Sequence, residues 1–396
     1  MNQKTSAPFK PLVASSAYFS SYIILGGTIA ILGPSLPWLA GQTGSRLDQV
    51  SSIFLASSFG YMVGSLLGGR LYDRLPGHRI QSLAILLIAS GLTLVPLLHS
   101  LWFLISLVFL IGILQGALDT GCNTLLTWIH GEKVGPFMNA LHFFFGAGAF
   151  LAPLIFASVL EKAGGIHWAF WIYSLLALPL AAWFWLLPSP PIRHKTDAGG
   201  EGKPVNVLFV LIVLFFVFHV GMELGFGNWI YTFAVEIQME SKTGAAYLTS
   251  AFWGAFTLAR LLGVFISSRL RAQTILLLDL GGCMAALGIL LLLPDSLPAL
   301  WVGTILMGLS VASIFATGMS FAERHLKLSG VMIGWILVGG GIGGMLSPWL
   351  IGQMFERISP RVTMPVLLVN NVIALGLLLA LVLSTRKRRK TELPAE

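Results

Sequence analysis

Residues 101–131 read "LWFLISLVFLIGILQGALDTGCNTLLTWIHG". The segment 101–115 contains no charged residue, and the run as a whole is long enough for a helix that crosses a bilayer, which needs about 20 apolar residues. Asp119 nevertheless lies inside it. Because a charged carboxylate at the bilayer centre costs at least about 2.5 to 3.5 kcal/mol on insertion scales, this acid is a candidate functional residue.

The composition extends this interpretation to the whole chain. Of 396 residues, 56% are hydrophobic and 10% are charged, whereas soluble domains have about 25% charged residues. An all-α integral membrane protein is predicted, because a helix satisfies every backbone group within its own segment. The predicted spans are 14–38, 49–72, 79–98, 101–129, 136–160, 166–188, 206–235, 243–269, 273–293, 297–321, 329–354 and 361–385.

The basic residues lie mainly on one side of the predicted membrane. With the N-terminus inside, cytoplasmic segments hold 18 of the 24 Lys and Arg residues and outer loops hold five, while Arg260 is left inside a span. The positive-inside rule then predicts a multi-pass protein of the cell membrane, or of the inner membrane of a bacterial cell, with both termini in the cytoplasm. The run "RKRRK" (386–390) is interpreted as a topology anchor, and no nucleic-acid partner is expected.

The chain divides into two related halves. A hydrophilic stretch at 189–205 predicts a cytoplasmic linker between a six-helix bundle at 1–188 and a second at 206–385, followed by a basic tail at 386–396. Shifting the sequence by about 194 residues aligns "GAGAFLAP" (146–153) with "GIGGMLSP" (341–348). Because each copy has an even number of spans, the two bundles are expected to share one orientation and to be pseudo-symmetric about the membrane normal.

Polar residues recur on the fourth predicted span. Gln115, Asp119, Asn123 and Thr127 are spaced four residues apart, so they share one face of a helix. The fifth span returns from the cytoplasm, and Asn139 and His142 are expected at the depth of Asn123. The pattern predicts a polar pocket in the cytoplasmic half of the membrane. The alternative is a hydrogen-bonded network between helices with no ligand.

The second half has its own polar and aromatic candidates. Glu223 lies within "HVGMELGFGNWIYT" (219–232), where three glycines weaken the helix, and such helices expose backbone only where they line a cavity. Trp229, Trp253 and Trp335 lie within spans, where they could stack on a sugar or pack against lipid. A further two charges, Arg260 and Asp279, are predicted at similar depth as a structural ion pair.

Several motifs resemble one family. The loop "GGRLYDRLPGHR" (68–79) is similar to the loop signature of major facilitator transporters through Gly69, Asp73 and Arg74, which in that signature latch the two halves, although Pro76 replaces a glycine. The segments "GALDTGCN", "NALHFFFGAGAFLAPL", "GMELGFGNWIYTFAVE" and "FWGAFTLARLLG" resemble the branch of sodium-dependent glucose transporter-like proteins, near the fucose-proton symporters.

The resemblance implies the major facilitator fold, in which spans one, four, seven and ten line a central cavity, with a hexose substrate and cation coupling. Fucose-type symporters carry an acid in span one, where this chain has "GGTIAILGPSLPW" (26–38). Asn123, His142, Asn228 and Trp229 lie in the matching motifs.

A secondary transporter that moves a small polar solute, most simply a hexose, by alternating access is therefore predicted. Coupling to Na⁺ or H⁺ is assigned to Asp119 with Asn123, Gln115 and His142. Solute contacts are assigned to six residues: Glu223, Asn228, Trp229, Asn139, Trp253 and Trp335. The alternative is an exporter of amphipathic drugs or lipids. No nucleophile–base set, cofactor motif or metal spacing was found, so an enzyme is not expected, nor is a cofactor, and a monomer in the lipid bilayer is expected.

Overall fold

The computed structural model describes residues 10–162, 165–192, 207–326 and 330–391. Most of the predicted linker and the end of the basic tail therefore lie outside the described residues. Within these ranges the chain forms fifteen α-helices and three short 3-10 turns, at Val95–Leu97, Gly131–Lys133 and Pro360–Val362. The α-helices are α1 (Pro11–Ala30), α2 (Leu32–Thr43), α3 (Leu47–Val50), α4 (Ser52–Tyr72), α5 (Gly77–Leu94), α6 (Leu101–His130), α7 (Gly135–Lys162), α8 (His167–Leu186), α9 (Val207–Glu236), α10 (Lys242–Ser267), α11 (Ala272–Leu292), α12 (Leu297–Val311), α13 (Ile314–His325), α14 (Gly330–Arg357) and α15 (Thr363–Thr391).

Among the described residues, twelve helical stretches are long and apolar enough to cross a membrane, which confirms the predicted number of spans. Three spans are interrupted, one of them the second span, at Ser51 between α3 and α4. The first breaks at Ile31, between α1 and α2, and Pro34 accounts for this because it has no amide hydrogen to donate to the carbonyl of Ala30. The tenth span breaks between Val311 and Ile314, where α12 gives way to α13.

The chain forms two compact units. Unit 1 comprises Met1–Ser45 and Leu55–Asp197, and unit 2 comprises Arg46–Phe54 and Ala198–Glu396. The main division falls inside the predicted linker at 189–205. However, contacts group α3 and the start of α4 with unit 2, whereas the sequence prediction kept the whole second span in the first bundle.

The same pairs of spans pack together in both units. In unit 1 the first span packs on the fifth (α1 on α7), the third on the sixth (α5 on α8), and the second meets the fourth (α4 and α6) through glycines. In unit 2 the corresponding pairs are α9 with α14, α11 with α15, and α10 with α12. The internal repeat of the sequence is therefore also a repeat of helix packing.

One pair of glycines shows this correspondence at the level of individual atomic contacts. A Cβ atom on Gly148 would overlap the carbonyl oxygen of Ile23, and a Cβ atom on Gly343 would overlap the carbonyl oxygen of Val217. The repeat aligns the two glycines with each other and the two carbonyl residues with each other. Small residues of this kind let membrane helices approach backbone to backbone.

The segment Arg46–Phe54 packs against the rest of unit 2 through a buried acid. Arg46 donates two hydrogen bonds to the Asp48 carboxylate, at 3.1 and 2.6 Å, and these raise the pKa of the Arg46 guanidinium above its usual value. Arg357 lies 4.0 Å from the same carboxylate, and Gln353 donates to the Asp48 backbone oxygen at 2.7 Å. Two elements that are far apart in sequence, α3 and α14, are thus joined.

Candidate functional site

Three side chains in unit 1 surround Asp119, and with it they form what we call the Asp119 cluster: Tyr22, Tyr61, Asp119 and Asn123. The Tyr22 hydroxyl, which comes from α1, donates to the Asp119 carboxylate. Asn123, one turn further along α6, donates to the Tyr22 hydroxyl at 2.5 Å and to Asp119 Oδ1 at 3.3 Å. The Tyr61 hydroxyl of α4 is also hydrogen-bonded to Asp119. Three spans therefore converge on one carboxylate.

The hydrogen-bond partners of this carboxylate are all neutral. In the part of the chain that the structure describes, they are two hydroxyl groups and one amide. Tyr22 is buried, and Asp119 and Asn123 are half-buried. Carboxylate, phenol and amide oxygens are ligands for hard cations, and a carboxylate without a basic hydrogen-bond partner can also take a proton. The Asp119 cluster thus has the chemistry of a site for one positive charge.

The structure separates the rest of the polar stripe from this cluster. Gln115 is buried and donates to the Thr28 hydroxyl at 3.0 Å, so its amide is used elsewhere. The Thr127 hydroxyl donates to the backbone oxygen of Asn123. His142 and Asn139 are exposed, and the His142 ring lies 5.8 Å from the Tyr22 ring between centroids. The predicted coupling roles of Gln115 and His142 stay predictions.

Tyr22 and Tyr61 were missed by the sequence reading. Both lie within spans, whereas tyrosines of membrane helices are enriched at the interfaces. A tyrosine far from an interface usually needs a partner for its hydroxyl. The location of Tyr22 and Tyr61 within the spans was the signal available in the sequence, although it does not reveal which group each hydroxyl contacts.

A second group of charges lies in unit 2, and we call it the Glu223 cluster: His219, Glu223 and Arg260. His219 and Glu223 are one turn apart on α9, with Nε2 and Oε2 separated by 3.6 Å. Arg260 of α10 is close enough to act electrostatically on both. Its guanidinium also lies 4.3 Å from the centroid of the Phe256 ring. The sequence reading singled out Glu223 and Arg260 separately but not His219.

Asp279 has a hydrogen-bond partner that the sequence pattern did not indicate. Its carboxylate accepts a hydrogen bond from the Ser313 hydroxyl, at the break between α12 and α13. Arg260 acts electrostatically on His219 and Glu223. The ion pair between Arg260 and Asp279 therefore stays a prediction.

The tryptophans divide between core and surface. Trp229 is fully buried, donates to the Pro348 carbonyl at 2.8 Å and packs on the Phe355 ring. Trp253 is also buried, whereas 57% of Trp335 is exposed. A ring without an exposed face cannot stack on a solute, so Trp229 and Trp253 serve packing in this structure. Asn228, which directly precedes Trp229 in the sequence, is half-buried.

The predicted latch residues lie at the end of α4. The backbone amide of Asp73 donates to the Gly69 carbonyl, and the side chains of Asp73 and Arg74 are exposed. A Cβ atom on Gly69 would meet no atom within 4 Å. The segment thus forms the C-terminal end of α4, and its role in latching the two halves stays a prediction.

Twelve apolar spans in two units with matching helix pairs, and a polar cluster inside the spans of each unit, define a multi-pass membrane protein built to carry small molecules. The sequence profile of the Major Facilitator Superfamily matches residues 18–348, and the chain belongs to this family. It is a transporter rather than an enzyme.

Relatives and solved structures agree with this assignment. Sodium-dependent glucose transporter 1 of Danio rerio is 32% identical over 394 residues, covering 90% of this chain and 66% of the relative. Its Homo sapiens counterpart of the same name is 29% identical over 371 residues, covering 84% of this chain and 72% of the relative. The nucleoside transporter NupG has the same fold, with a TM-score of 0.72 at 15% identity over 95% of this chain and 99% of that chain. A bacterial homologue of the human lysosomal transporter Spinster gives 0.68 at 14% identity, with 96% of each chain covered.

Proposed function

We propose that the protein is a secondary transporter that moves a hexose by alternating access, with a coupling cation, Na⁺ or H⁺, bound at the Asp119 cluster. The observation that carries this proposal is the set of neutral partners around Asp119: Tyr22, Tyr61 and Asn123. Glu223 and Asn228 contact the solute in unit 2, and Asn139 does so in unit 1. Both termini lie in the cytoplasm, and the protein acts as a monomer.

The coupling step follows from the cost of charge inside a membrane. An ionised Asp119 is expensive at this depth, and its neutral partners solvate the charge without cancelling it. A cation that enters the cluster cancels the charge, so the loaded and empty forms of unit 1 differ in free energy. A ligand that favours one state in this way shifts the conformational equilibrium, which is the requirement for coupled transport.

A hexose is the solute class that the polar groups favour. Its hydroxyls both donate and accept; the Glu223 carboxylate can accept from them, and the Asn228 and Asn139 amides can both donate and accept in return. The names of the relatives, sodium-dependent glucose transporter 1 in Danio rerio and Homo sapiens, support this choice. An exporter of amphipathic compounds would need a more apolar lining, and the polar clusters in both units weigh against it.

The test is uptake of radiolabelled glucose, fucose and mannose into proteoliposomes, with sodium and proton gradients imposed separately. The wild type is expected to accumulate at least one sugar under one gradient. Asp119→Asn is expected to lose accumulation while keeping exchange of labelled for unlabelled sugar, because the amide cannot change its charge. Asp295→Asn is the matched control, since Asp295 is a surface acid with 79% of its side chain exposed.

Two outcomes of this experiment would contradict the proposal. If no sugar moves under either gradient, the hexose proposal is wrong and the exporter reading takes its place. If Asp119→Asn accumulates sugar as the wild type does, the coupling site lies elsewhere.

A further inference from the structure

His219 is a buried histidine whose ring has no hydrogen bond to any described residue. Its side chain is inaccessible, and neither Nδ1 nor Nε2 has a hydrogen-bond partner among the described residues. Leaving a buried polar group without a partner costs about 1–3 kcal/mol. The Phe215 ring lies 6.3 Å away between centroids. A ring nitrogen of His219 is therefore free to accept a hydrogen bond or a proton.

The carboxylate of Glu223 is placed to share that proton. Glu223 Oε2 lies 3.6 Å from His219 Nε2, just beyond the range of a hydrogen bond, and a small rotation of either side chain closes the gap. One added proton then gives either a neutral carboxyl beside a neutral imidazole or a carboxylate beside an imidazolium. The two arrangements have the same net charge, which is one unit more positive than a carboxylate beside a neutral ring.

The charged and titratable groups that face this pair come from α10 and α11. Arg260 of α10 acts on both residues, and the buried Cys283 thiol of α11 interacts with the charges of Glu223 and Asp279. In the other elements packed on α9, the described charged and titratable side chains lie at helix ends: Glu323, Arg324, His325, Glu356, Arg357 and Arg361. Arg260 therefore supplies the positive charge that balances the carboxylate when the shared proton is absent.

We propose that the Glu223 cluster is a proton-binding site in unit 2, separate from the Asp119 cluster, which takes up and releases one proton during the transport cycle. This inference rests on the proposed function, because it links protonation to a residue that contacts solute. Two charge-bearing sites in different units would let the protein respond to pH whether the Asp119 cluster binds Na⁺ or H⁺. Glu223 is the residue that holds the proton, and His219 is a positioning residue that shares it.

Infrared difference spectroscopy of the full chain in liposomes tests the site without any solute. Changing the pH is expected to produce a protonated-carboxyl band in the wild type, part of which disappears in Glu223→Gln. In His219→Gln the midpoint of that part is expected to shift by about one pH unit, the size expected when a neighbouring titratable group is removed. If Glu223→Gln does not fold, Glu223→Asp replaces it, and a shifted midpoint is expected in place of a lost band.

Two controls separate the site from general effects. His99→Gln removes an exposed histidine and Asp295→Asn removes an exposed acid, and both are expected to leave the Glu223-dependent band unchanged. An identical carboxyl band in Glu223→Gln and the wild type overturns the proposal. An unshifted midpoint in His219→Gln removes His219 from the site and overturns the shared-proton arrangement.

A transport measurement completes the test. If the wild type moves a hexose, the pH dependence of exchange is expected to change in His219→Gln and to stay unchanged in His99→Gln. If the wild type moves no hexose, the proposed function fails, and the infrared result still decides whether the Glu223 cluster binds a proton.

Discussion

The two units share a backbone frame and differ in the charges they hold. Gly148 on Ile23 in unit 1 repeats as Gly343 on Val217 in unit 2. The acids do not repeat: Asp119 lies on the fourth span of the chain, whereas Glu223 lies on the seventh, the first span of the second half. The helix packing is therefore common to the two halves, whereas each acidic site is specific to one half.

The residues aligned with the two acids support this conclusion. A shift of about 194 residues places Ile29 opposite Glu223 and Ser313 opposite Asp119. Ser313 nevertheless has a polar role, since its hydroxyl donates to Asp279 of α11. The hydroxyl and amide partners of Asp119 come from three spans, while the Glu223 cluster uses a histidine and an arginine. The first arrangement suits binding of a charge, and the second suits sharing of a proton.

Removing Glu223 should give the largest difference between the roles of the two clusters. Glu223→Ala is expected to raise the KM for hexose exchange roughly 10- to 100-fold, because hydrogen bonds to a charged group contribute about 1.5–3 kcal/mol. Asp119→Asn, measured in parallel, should change the same KM by much less, since Asp119 is assigned to the cation. Equal effects of the two variants on KM would show that the clusters do not have separate roles.

The shared frame can be tested by adding one methyl group to each unit. Gly148→Ala and Gly343→Ala should each lower the free energy of unfolding by about 1–3 kcal/mol, the cost of overpacking, and by similar amounts if the contacts are equivalent. Thermal unfolding in detergent measures this. Gly41→Ala in unit 1 and Gly281→Ala in unit 2 are matched controls, because a Cβ atom there meets nothing within 4 Å. A loss in only one unit would contradict the equivalence.

Tyr22→Phe should weaken the Asp119 cluster without removing its charge. The variant loses the hydroxyl that donates to Asp119 and accepts from Asn123. Affinity for the coupling cation is expected to fall about tenfold, the effect of one hydrogen bond to a charged group, as read from the cation dependence of uptake. Tyr247→Phe, at an exposed position, is the control. An unchanged cation dependence would remove Tyr22 from the site.

The smallest effect is expected where Arg46–Phe54 packs on the rest of unit 2. Asp48→Asn should lower the free energy of unfolding by no more than about 1 kcal/mol, because the partner Arg46 is 62% exposed and water screens such pairs. The difference from the wild type should shrink at high salt. Thermal unfolding at low and high salt checks this, and a loss that does not depend on salt would indicate packing instead of charge.

The fold could be predicted from the sequence because its signals are local. Apolar length gave the twelve spans, and the alignment of "GAGAFLAP" with "GIGGMLSP" indicated two related halves. The grouping of Arg46–Phe54 with unit 2 depends on contacts with α14, which no pattern within the second span reveals.

The site could be predicted only in part, because spacing along one helix does not show what faces it. The four-residue repeat identified Asp119 and Asn123 but also included Gln115, whose amide turns to Thr28. Tyr22 reaches Asp119 from another helix. Trp229 lies next to a candidate residue in sequence, yet its ring points into the core, since neighbours on a helix face directions about 100° apart.

The contacts at Gly148 and Gly343 also bear on how such a chain can diverge. Each joint is made of a glycine against a peptide carbonyl, so it depends on no side chain of the partner helix. Ile23 and Val217 can differ, as they do, without disturbing the joint. A duplicated ancestor could therefore accumulate substitutions in either copy, including new acids, without disturbing the contacts that these two glycines make with the partner backbone.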